Sequence, residues 1–488
     1  MKRIHSFCVR LCTPSYLSGT RRANRVVEGQ VGWDSLPPLG GGVLVDGSVG
    51  PTSPVGTARR VSERGGAWII TLWVAFGLVS LALYFGHSMS LELKASENRA
   101  AGLAAEQAIE GGARYALYLL SHLDKPGQLP DVQTYLRSEV RVGRASFWFL
   151  GRDASQTSST EPFFGLADEA GKLNLNTATP EMLQALPRMT AEFAAAIKDW
   201  RDTDSDVTSN GAEEDAYSRL NPPYKCKNAN FETVEELRLV YGATLEILYG
   251  EDINRNGVLD VNENDGESSP PIDNKDGKLD PGILDYVTVY SQEPTTNSVG
   301  TTRVDVRQAQ ALQGLVRTNF SGKRLLTAGV QNPLHFYALN KESLTAEEFA
   351  QIEDSLRGPR LNGLVNVNTA SEAVLACIPG IGTQYASSLV AYRRSHQDQQ
   401  TSVAWVASVL TDANAVQTAG EWLTGRSYQF TADIAAVGQH SRGYRRMRFI
   451  LDTMAGTTRI LYRQDVSSLG WALGRQVQQN LLITQTTR

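Results

Sequence analysis

Hydrophobic and polar positions change rhythm several times along this chain. Residues 65–86 read GGAWIITLWVAFGLVSLALYFG, twenty-two positions without a charge. A helix rises about 1.5 Å per residue, and roughly 20 apolar residues cross the hydrocarbon core of a bilayer. Arg59, Arg60 and Arg64 precede the run, and Glu92, Lys94, Glu97 and Arg99 follow it without a basic cluster. That asymmetry predicts a cytoplasmic N-terminus and an extracytoplasmic remainder. From Ser88 the pattern becomes a stripe of threes and fours: Ala101, Ala104, Ala105, Ala108, Ile109, Ala113, Ala116, Leu117 and Leu120. The first turn cluster is Asp124-Lys125-Pro126-Gly127. The spacing therefore predicts one helix over 66–120, on the order of 80 Å long. Its first half suits lipid, and its second half needs a globular cover.

Alternation of period two predicts strands at 145–150, 163–167, 284–290, 427–437, 446–452 and 459–463. Helical spacing recurs at 231–239, 346–356 and 401–410. Between them lies an internal repeat. LNLNTATPEMLQALPRMTAEFAAAI at 173–197 aligns without a gap on VNVNTASEAVLACIPGIGTQYASSL at 365–389. Asn174 and Asn176 match Asn366 and Asn368, and Thr177-Ala178 matches Thr369-Ala370. Thr177 or Thr369 is expected to cap a short helix, which the following Pro ends, and a second helix packs across it. The second copy holds Pro379-Gly380-Ile381-Gly382, similar to a helix-hairpin-helix turn whose backbone N–H groups meet DNA phosphates. The first copy has Pro187-Arg188-Met189-Thr190 instead, and the bland reading of Gly380 and Gly382 is that they only allow a tight inter-helix turn.

Charge argues against nucleic acid. Residues 1–65 carry nine basic and four acidic side chains, leaving the remainder at a net charge of −10. Such a surface is a poor grip for phosphate backbones and a reasonable one for a hard cation. The four cysteines, Cys8, Cys12, Cys226 and Cys377, and the scattered histidines have no zinc-like spacing. Neither G-x-S-x-G nor a phosphate-binding G-x-x-x-x-G-K-[ST] occurs, so no enzyme is expected. Cys226 and Cys377 would face an oxidising space, where they either pair or stay as two unpaired buried thiols, the second being the reading taken here. Residues 1–65, rich in Gly, Pro, Ser and Arg, read as a disordered or cleaved leader, or as sequence upstream of the true start.

The clearest chemistry lies at 250–285. Asp252, Asn254, Asn256, Gly257, Val258, Asp260 and Glu263 occupy the positions of an EF-hand-type loop. Asp252, Asn254 and Asn256 would offer side-chain oxygens and Val258 its carbonyl. Asp260 would bind directly or through water, and Glu263 through both oxygens. A weaker second loop offers Asn274, Asp276, Lys278 and Asp280. Its positions 1 and 12 fall on Ile272 and Ile283, so Asp273 or Asp285 is expected to substitute. Calcium is expected in the first loop and is possible in the second, as a structural staple.

A long helix half in lipid and half under a domain resembles the type IV pilins and pseudopilins. Arg64-Gly65-Gly66-Ala67 looks like a prepilin peptidase site cut between Gly65 and Gly66. The opening RGGAWIITLWVA is similar to that of the K-type minor pseudopilin of type II secretion (general secretion pathway protein K), as is the ending GYRRMRFILD…RILYRQDVSSLGWALG. The small Gly66 and the long leader depart from that pattern. The resemblance implies an α+β fold: a pilin-like long N-terminal helix on a small antiparallel sheet. A large, mostly helical domain with two helix-hairpin-helix-like repeats is inserted into it.

The expected organisation is a leader at 1–65, the long helix at 66–125 (66–86 transmembrane) and pilin-like strands at 126–172. Helical repeat 1 follows at 173–250, the acidic loops at 251–285 and a mixed region at 286–362. Helical repeat 2 takes 363–425, C-terminal strands 426–475 and a tail 476–488. The resemblance also implies a non-enzymatic inner-membrane protein with a periplasmic bulk, calcium in the large domain, and a place at the pseudopilus tip that helps start assembly. Its partners would be I- and J-type minor pseudopilins, the major pseudopilin, the inner-membrane assembly platform, prepilin peptidase and membrane lipid. A membrane-anchored DNA-binding or uptake protein, or a calcium-dependent surface scaffold, are the alternatives.

The fifth position from Gly66 is Ile70, where most pilins have Glu. A subunit without that carboxylate cannot neutralise a neighbour's terminal amine inside the bilayer, where an unpaired charge is costly. Only the topmost subunit of a stack lacks a neighbour above it. Ile70→Glu should therefore spread the protein along the fibre in labelled imaging. A position unchanged at the fibre end removes the argument.

Overall fold

The computed structural model describes residues 64–152, 161–396, 400 and 402–486. All but the last two residues of the expected leader, with Cys8 and Cys12, lie outside them. Helix α1 runs Arg64–Ser121, two residues earlier and one later than the spacing predicted. Contacts divide the chain after Leu78. In the first unit the apolar side chains from Trp68 to Leu78, Trp68, Ile70, Trp73 and Phe76 among them, are exposed. By length and composition the helix is able to cross a membrane.

In the second unit, the small residues of α1 have a purpose. Ala105, Ala108, Ile109, Ala113, Ala116 and Leu120 pack on Phe147, Phe149, Phe430, Ile434, Phe449 and Leu451. The bulk comes from the sheet, so the helix must be lean. A Cβ at Gly112 would come within 3.2 Å of Phe147 and Ile434. In chain order the strands are β1 (Val140–Val142), β2 (Ala145–Leu150), β3 (Ala167–Asp168), β4 (Leu173–Asn174), β5 (Val287–Thr288), β6 (Val304–Asp305), β7 (Leu356–Arg357), β8 (Val365–Asn366), β9 (Leu423–Thr424), β10 (Gln429–Val437), β11 (Arg445–Asp452) and β12 (Arg459–Asp465). The main sheet is antiparallel, ordered β1-β2-β10-β11-β12, with β3 also on β10. Everything from β4 to β9 is inserted between its strands. This is the α+β architecture expected: long helix, small sheet, mostly helical insertion.

The repeat folds as two like units around one apolar core. Each opens on a short parallel pair, β4 with β5 and β8 with β9. In each, the first Asn accepts from the backbone N–H two residues on, Asn174 Oδ1 at 2.9 Å and Asn366 Oδ1 at 3.0 Å. The Thr177 and Thr369 N–H groups close that turn on the Asn174 and Asn366 carbonyls, at 3.2 Å each, and neither threonine caps the helix. The caps are Thr179, for α2 (Pro180–Gln184), and Ser371, for the helix Glu372–Ala376. A second helix follows in each: α3 (Ala191–Arg201) and Gly382–Ser395. Arg201 donates to the Leu175 and Ala178 carbonyls. Arg393 donates to those of Val367 and Ala370, both at 2.8 Å. The two arginines are equivalent in the repeat and hold equivalent turns.

Several expected elements are shorter or different. Residues 231–239 form a 3-10 helix, Val234–Leu239, and 401–410 keep only Val406–Val409 as α-helix. Of 284–290, Val287–Thr288 is strand and Ile283–Asp285 a 3-10 turn, because the segment pairs only with the two-residue β4. Of 163–167, Phe164 bridges Leu150 and Ala167 opens β3. The tail at 476–488 is largely a helix, Gly474–Thr486, whose Val477 and Leu481 pack against Trp148 and Val437 on the sheet face away from α1.

That far face of the sheet carries charge. Asp433 on β10 accepts from Arg446 Nε at 2.8 Å and Nη2 at 2.9 Å, and from Arg448 Nη2 at 2.8 Å. Arg446 is fully buried. Burial alone would raise the Asp433 carboxyl, but Arg446 and then Arg448 hold it far below the usual carboxylate range. Its stability contribution is complete above the unfolded pKa near 4 and is lost as pH falls through the lower native value. Asp433→Asn should lower stability at pH 7 by about 3–5 kcal/mol, since it leaves a buried guanidinium without its carboxylate. Thermal unfolding should show the gap between wild type and variant closing as pH is lowered below about 4.

Candidate cation sites

The first acidic loop is a chain of side-chain-to-backbone hydrogen bonds. Asp252 is buried; its Oδ1 accepts from Asn256 N and its Oδ2 from Gly257 N, each at 2.9 Å. Asn254 Oδ1 accepts from Asn256 N at 3.0 Å, and Asn256 Oδ1 from Val258 N at 2.7 Å. Both amide nitrogens, Asn254 Nδ2 at 2.8 Å and Asn256 Nδ2 at 3.1 Å, donate to Asp260 Oδ2. Asp260 N donates to Glu263 Oε2 at 3.0 Å. Arg255 and Gly257 have φ of +53° and +76°, which let the loop turn back on itself. The structure thus brings together Asp252, Asn254, Asn256, Val258, Asp260 and Glu263, as the spacing predicted.

Glu263 tests whether these residues fit an ion. It is 1% exposed, and its Oε1 has no hydrogen-bond partner. Burial, then the charges of Asp252 and Asp260, push its carboxyl up to about 8. Among the described residues no three His, Cys, Asp or Glu side chains form a ready metal set, so any ion here must also draw on amide and main-chain oxygens. An all-oxygen set with crowded negative charge and one unused buried oxygen fits a hard cation.

The second loop repeats the first at a shift of 20. Asn274 Oδ1 accepts from Asp276 N, and Asp276 Oδ1 from Lys278 N, each at 2.8 Å. Asn274 Nδ2 donates to Asp280 Oδ2 at 3.3 Å. Lys275 and Gly277 have φ of +54° and +79°, matching Arg255 and Gly257. The missing end is not supplied by Asp273 or Asp285. Asp273 accepts from Asp265 N, Gly266 N and Lys275 N, and Asp285 binds Arg152 and Arg255. Glu251 takes the place instead: its Oε2 accepts from Asp280 N at 3.0 Å, as Glu263 Oε2 does from Asp260 N. Glu251 directly precedes the first loop, so in sequence it counts with the wrong one. Only the pairing of Gly250 with Pro281 brings it across.

Sheet and repeat close on these loops. Arg446 donates to the carbonyls of Asn254 and, at 2.9 Å, Arg255. Arg152, just beyond β2, bonds Asp252 at 2.9 Å and Asp285 at 2.8 Å. Arg188, at the hairpin turn of the first repeat, lies 3.8 Å from Glu251 and 3.9 Å from Asp280. Arg188 has φ +60° where Gly380 in the second copy has +86°. A Cβ at Gly380 would lie 2.7 Å from the Ala415 carbonyl, so the glycine is required by packing. In that hairpin the N–H groups of Ile381 and Gly382 both donate to Ile378 O. They are spent inside the turn, which leaves the motif little to offer a phosphate. Cys226 and Cys377 are both free thiols.

Comparison with known proteins gives three findings. Residues 171–249 match the family model of type II secretion system protein K, and residues 362–401 match that of the helix-hairpin-helix motif. The type II secretion system protein K of Pectobacterium carotovorum subsp. carotovorum is 43% identical over 51 residues, 10% of this chain and 16% of the relative's own length. The GspK-GspI-GspJ complex of the enterotoxigenic Escherichia coli type 2 secretion system aligns over 77% of this chain and 98% of the matched chain, at 13% identity and a TM-score of 0.33.

If the two loops are independent ligand sets, Glu263→Gln and Glu251→Gln should each remove one bound calcium per chain. Equilibrium dialysis of the single and double variants checks this. Loss of both ions from either single variant would mean one shared site.

Proposed function

We propose that this chain is a minor pseudopilin of the type II protein secretion system, of the K type. The observation that carries the reading is the match of residues 171–249 to the protein K family model, which falls on the first unit of the repeat. The apolar start of α1 and the sheet that covers its second half support it. In this role α1 anchors the protein in the inner membrane by a single pass, with the N-terminus cytoplasmic and the bulk periplasmic. Prepilin peptidase cuts between Gly65 and Gly66. The mature protein joins I- and J-type minor pseudopilins at the pseudopilus tip, above the major pseudopilin and the assembly platform, and helps start the fibre that exports folded proteins. It is an assembly component, not an enzyme.

Calcium is part of the proposal. Asp252, Asn254, Asn256, the Val258 carbonyl, Asp260 and Glu263 would hold one ion. Asn274, Asp276, the Lys278 carbonyl, Asp280 and Glu251 would hold a second. The ions supply positive charge where acids crowd. The chain's own residues do the rest: Arg446 and Arg152 bind the loop to the sheet, and Arg188 braces the second loop from the repeat.

Two measurements test the reading. Protein extracted from membranes should begin at Gly66, shown by N-terminal sequencing and intact mass. A start ahead of Gly65 would mean an uncut anchor and favour the scaffold alternative. Calcium at about 100 times its dissociation constant should stabilise the chain by about 2.7 kcal/mol per site. The melting temperature should rise accordingly over chelator. An equal melting temperature in both would exclude calcium as a staple.

A further inference from the structure

A polar cavity lies in the second half of the insertion, apart from both acidic loops. Residues of β7 and β9 form its walls, and Arg303, Glu353 and Arg426 line it. Its volume is about 40 Å³. That is room for about three waters. Arg357, Arg360 and Glu421 also line it and are only half-buried, so they make its outer end.

Three polar atoms of these lining residues are buried without a hydrogen-bond partner: Glu353 Oε2, Arg303 Nε and Arg426 Nε. Glu353 is 7% exposed and Arg303 3%. The rest of each group is engaged. Glu353 Oε1 accepts from Val403 N at 3.0 Å. Arg303 Nη1 donates to Glu293 Oε2 at 2.5 Å and its Nη2 to Asp354 Oδ1 at 3.3 Å. Arg426 Nη1 lies 3.3 Å from Asp354 Oδ1 and donates to Pro126 O at 3.3 Å. Glu293 and Asp354 thus neutralise the two guanidiniums. Arg360 is held over the Trp422 ring, 3.8 Å from its centroid. Burial raises the Glu353 carboxyl above its ordinary value, and the charge of Arg426 opposes the rise.

Buried polar atoms without partners are costly, so they select what fills the cavity. Two N–H groups ask for an acceptor, and one carboxylate oxygen asks for a donor. An anion would suit the arginines but would meet Glu293 and Glu353. An ammonium would suit Glu353 but would meet two guanidiniums. A primary carboxamide is neutral, carries an acceptor and a donor side by side, and has three heavy atoms.

We infer that this cavity takes the side-chain carboxamide of a glutamine or asparagine presented by a polypeptide partner. The amide oxygen accepts from Arg303 and Arg426, and the amide nitrogen donates to Glu353 Oε2. The cavity has room for the amide alone, so the chain that bears it lies outside, along Arg357, Arg360 and Glu421. The inference rests on the cavity and holds whether or not the chain works in secretion.

The test uses the full chain in detergent and saturation-transfer NMR. The probes are tripeptides, acetyl-Gly-X-Gly-N-methylamide, with glutamine, glutamate or methionine at X. The glutamine peptide should bind about 10-fold more tightly than the other two, the worth of one well-made hydrogen bond to a charged group. Glu353→Gln keeps an acceptor for Val403 N but turns the open atom from acceptor to donor. In that variant the preference should pass to the glutamate peptide. Should Glu353→Gln fail to fold, as judged by thermal unfolding, the three peptides on the wild-type chain decide alone. Equal transfer to all three peptides, or transfer to none, overturns the inference and leaves a cavity of water. A glutamate preference in the wild-type chain also overturns it, since Glu353 would then be protonated and donating. Free L-glutamine binding as tightly as the glutamine peptide would overturn the polypeptide as the source of the amide.

Discussion

The buried pair of Asp433 and Arg446 is the constraint on which the rest of the structure depends. A guanidinium with no exposed surface must spend its donors inside the protein. Arg446 gives some to Asp433 on the neighbouring strand and the others to two carbonyls of the first acidic loop. One side chain thereby joins the pilin-like sheet to the inserted domain. The sheet face toward α1 is aromatic and aliphatic, and the opposite face carries buried ion pairs beside an apolar patch of Trp148, Leu150 and Val437. Strand periodicity separates the two: Ile434 faces the helix and Asp433 faces the insertion.

A second seam lies beside the first. Asp168 accepts from Asn366 Nδ2 at 3.0 Å and from Ser427 Oγ, while Glu169 accepts from Lys172 Nζ at 2.5 Å and Thr288 Oγ1 at 2.5 Å. Adjacent acids thus reach the two different repeat units. The repeats share a core and a turn chemistry, yet each hairpin serves a different neighbour. Gly380 lets the second pack closely on the helix Ala413–Ala419. Arg188 lets the first hold an acidic loop.

The acidic balance of residues 66–488 acquires a location from this. Its carboxylates gather into two loops that oxygen-loving cations would neutralise, and the arginines that meet them come from the sheet and the repeat. Such ions would stabilise the fold without a disulfide between the free thiols Cys226 and Cys377. In the second hairpin, in contrast, the Ile381 and Gly382 N–H groups close the turn on Ile378 O.

The sequence by itself determined the long helix, the repeat and the first loop. Each rests on local periodicity or spacing: an uncharged run, a stripe of alanines, an ungapped alignment, oxygens at alternate positions. The α+β arrangement and the family resemblance were legible for the same reason. Contacts between distant segments were decided only by the tertiary structure. Glu251 completes a loop more than twenty residues away, and Thr179 rather than Thr177 caps α2. The tail carries too weak a stripe to read alone, and Gly474–Thr486 forms a helix where the sheet offers Trp148 and Val437. A buried polar atom takes whatever partner the fold delivers, and no pattern along the chain records which one that is.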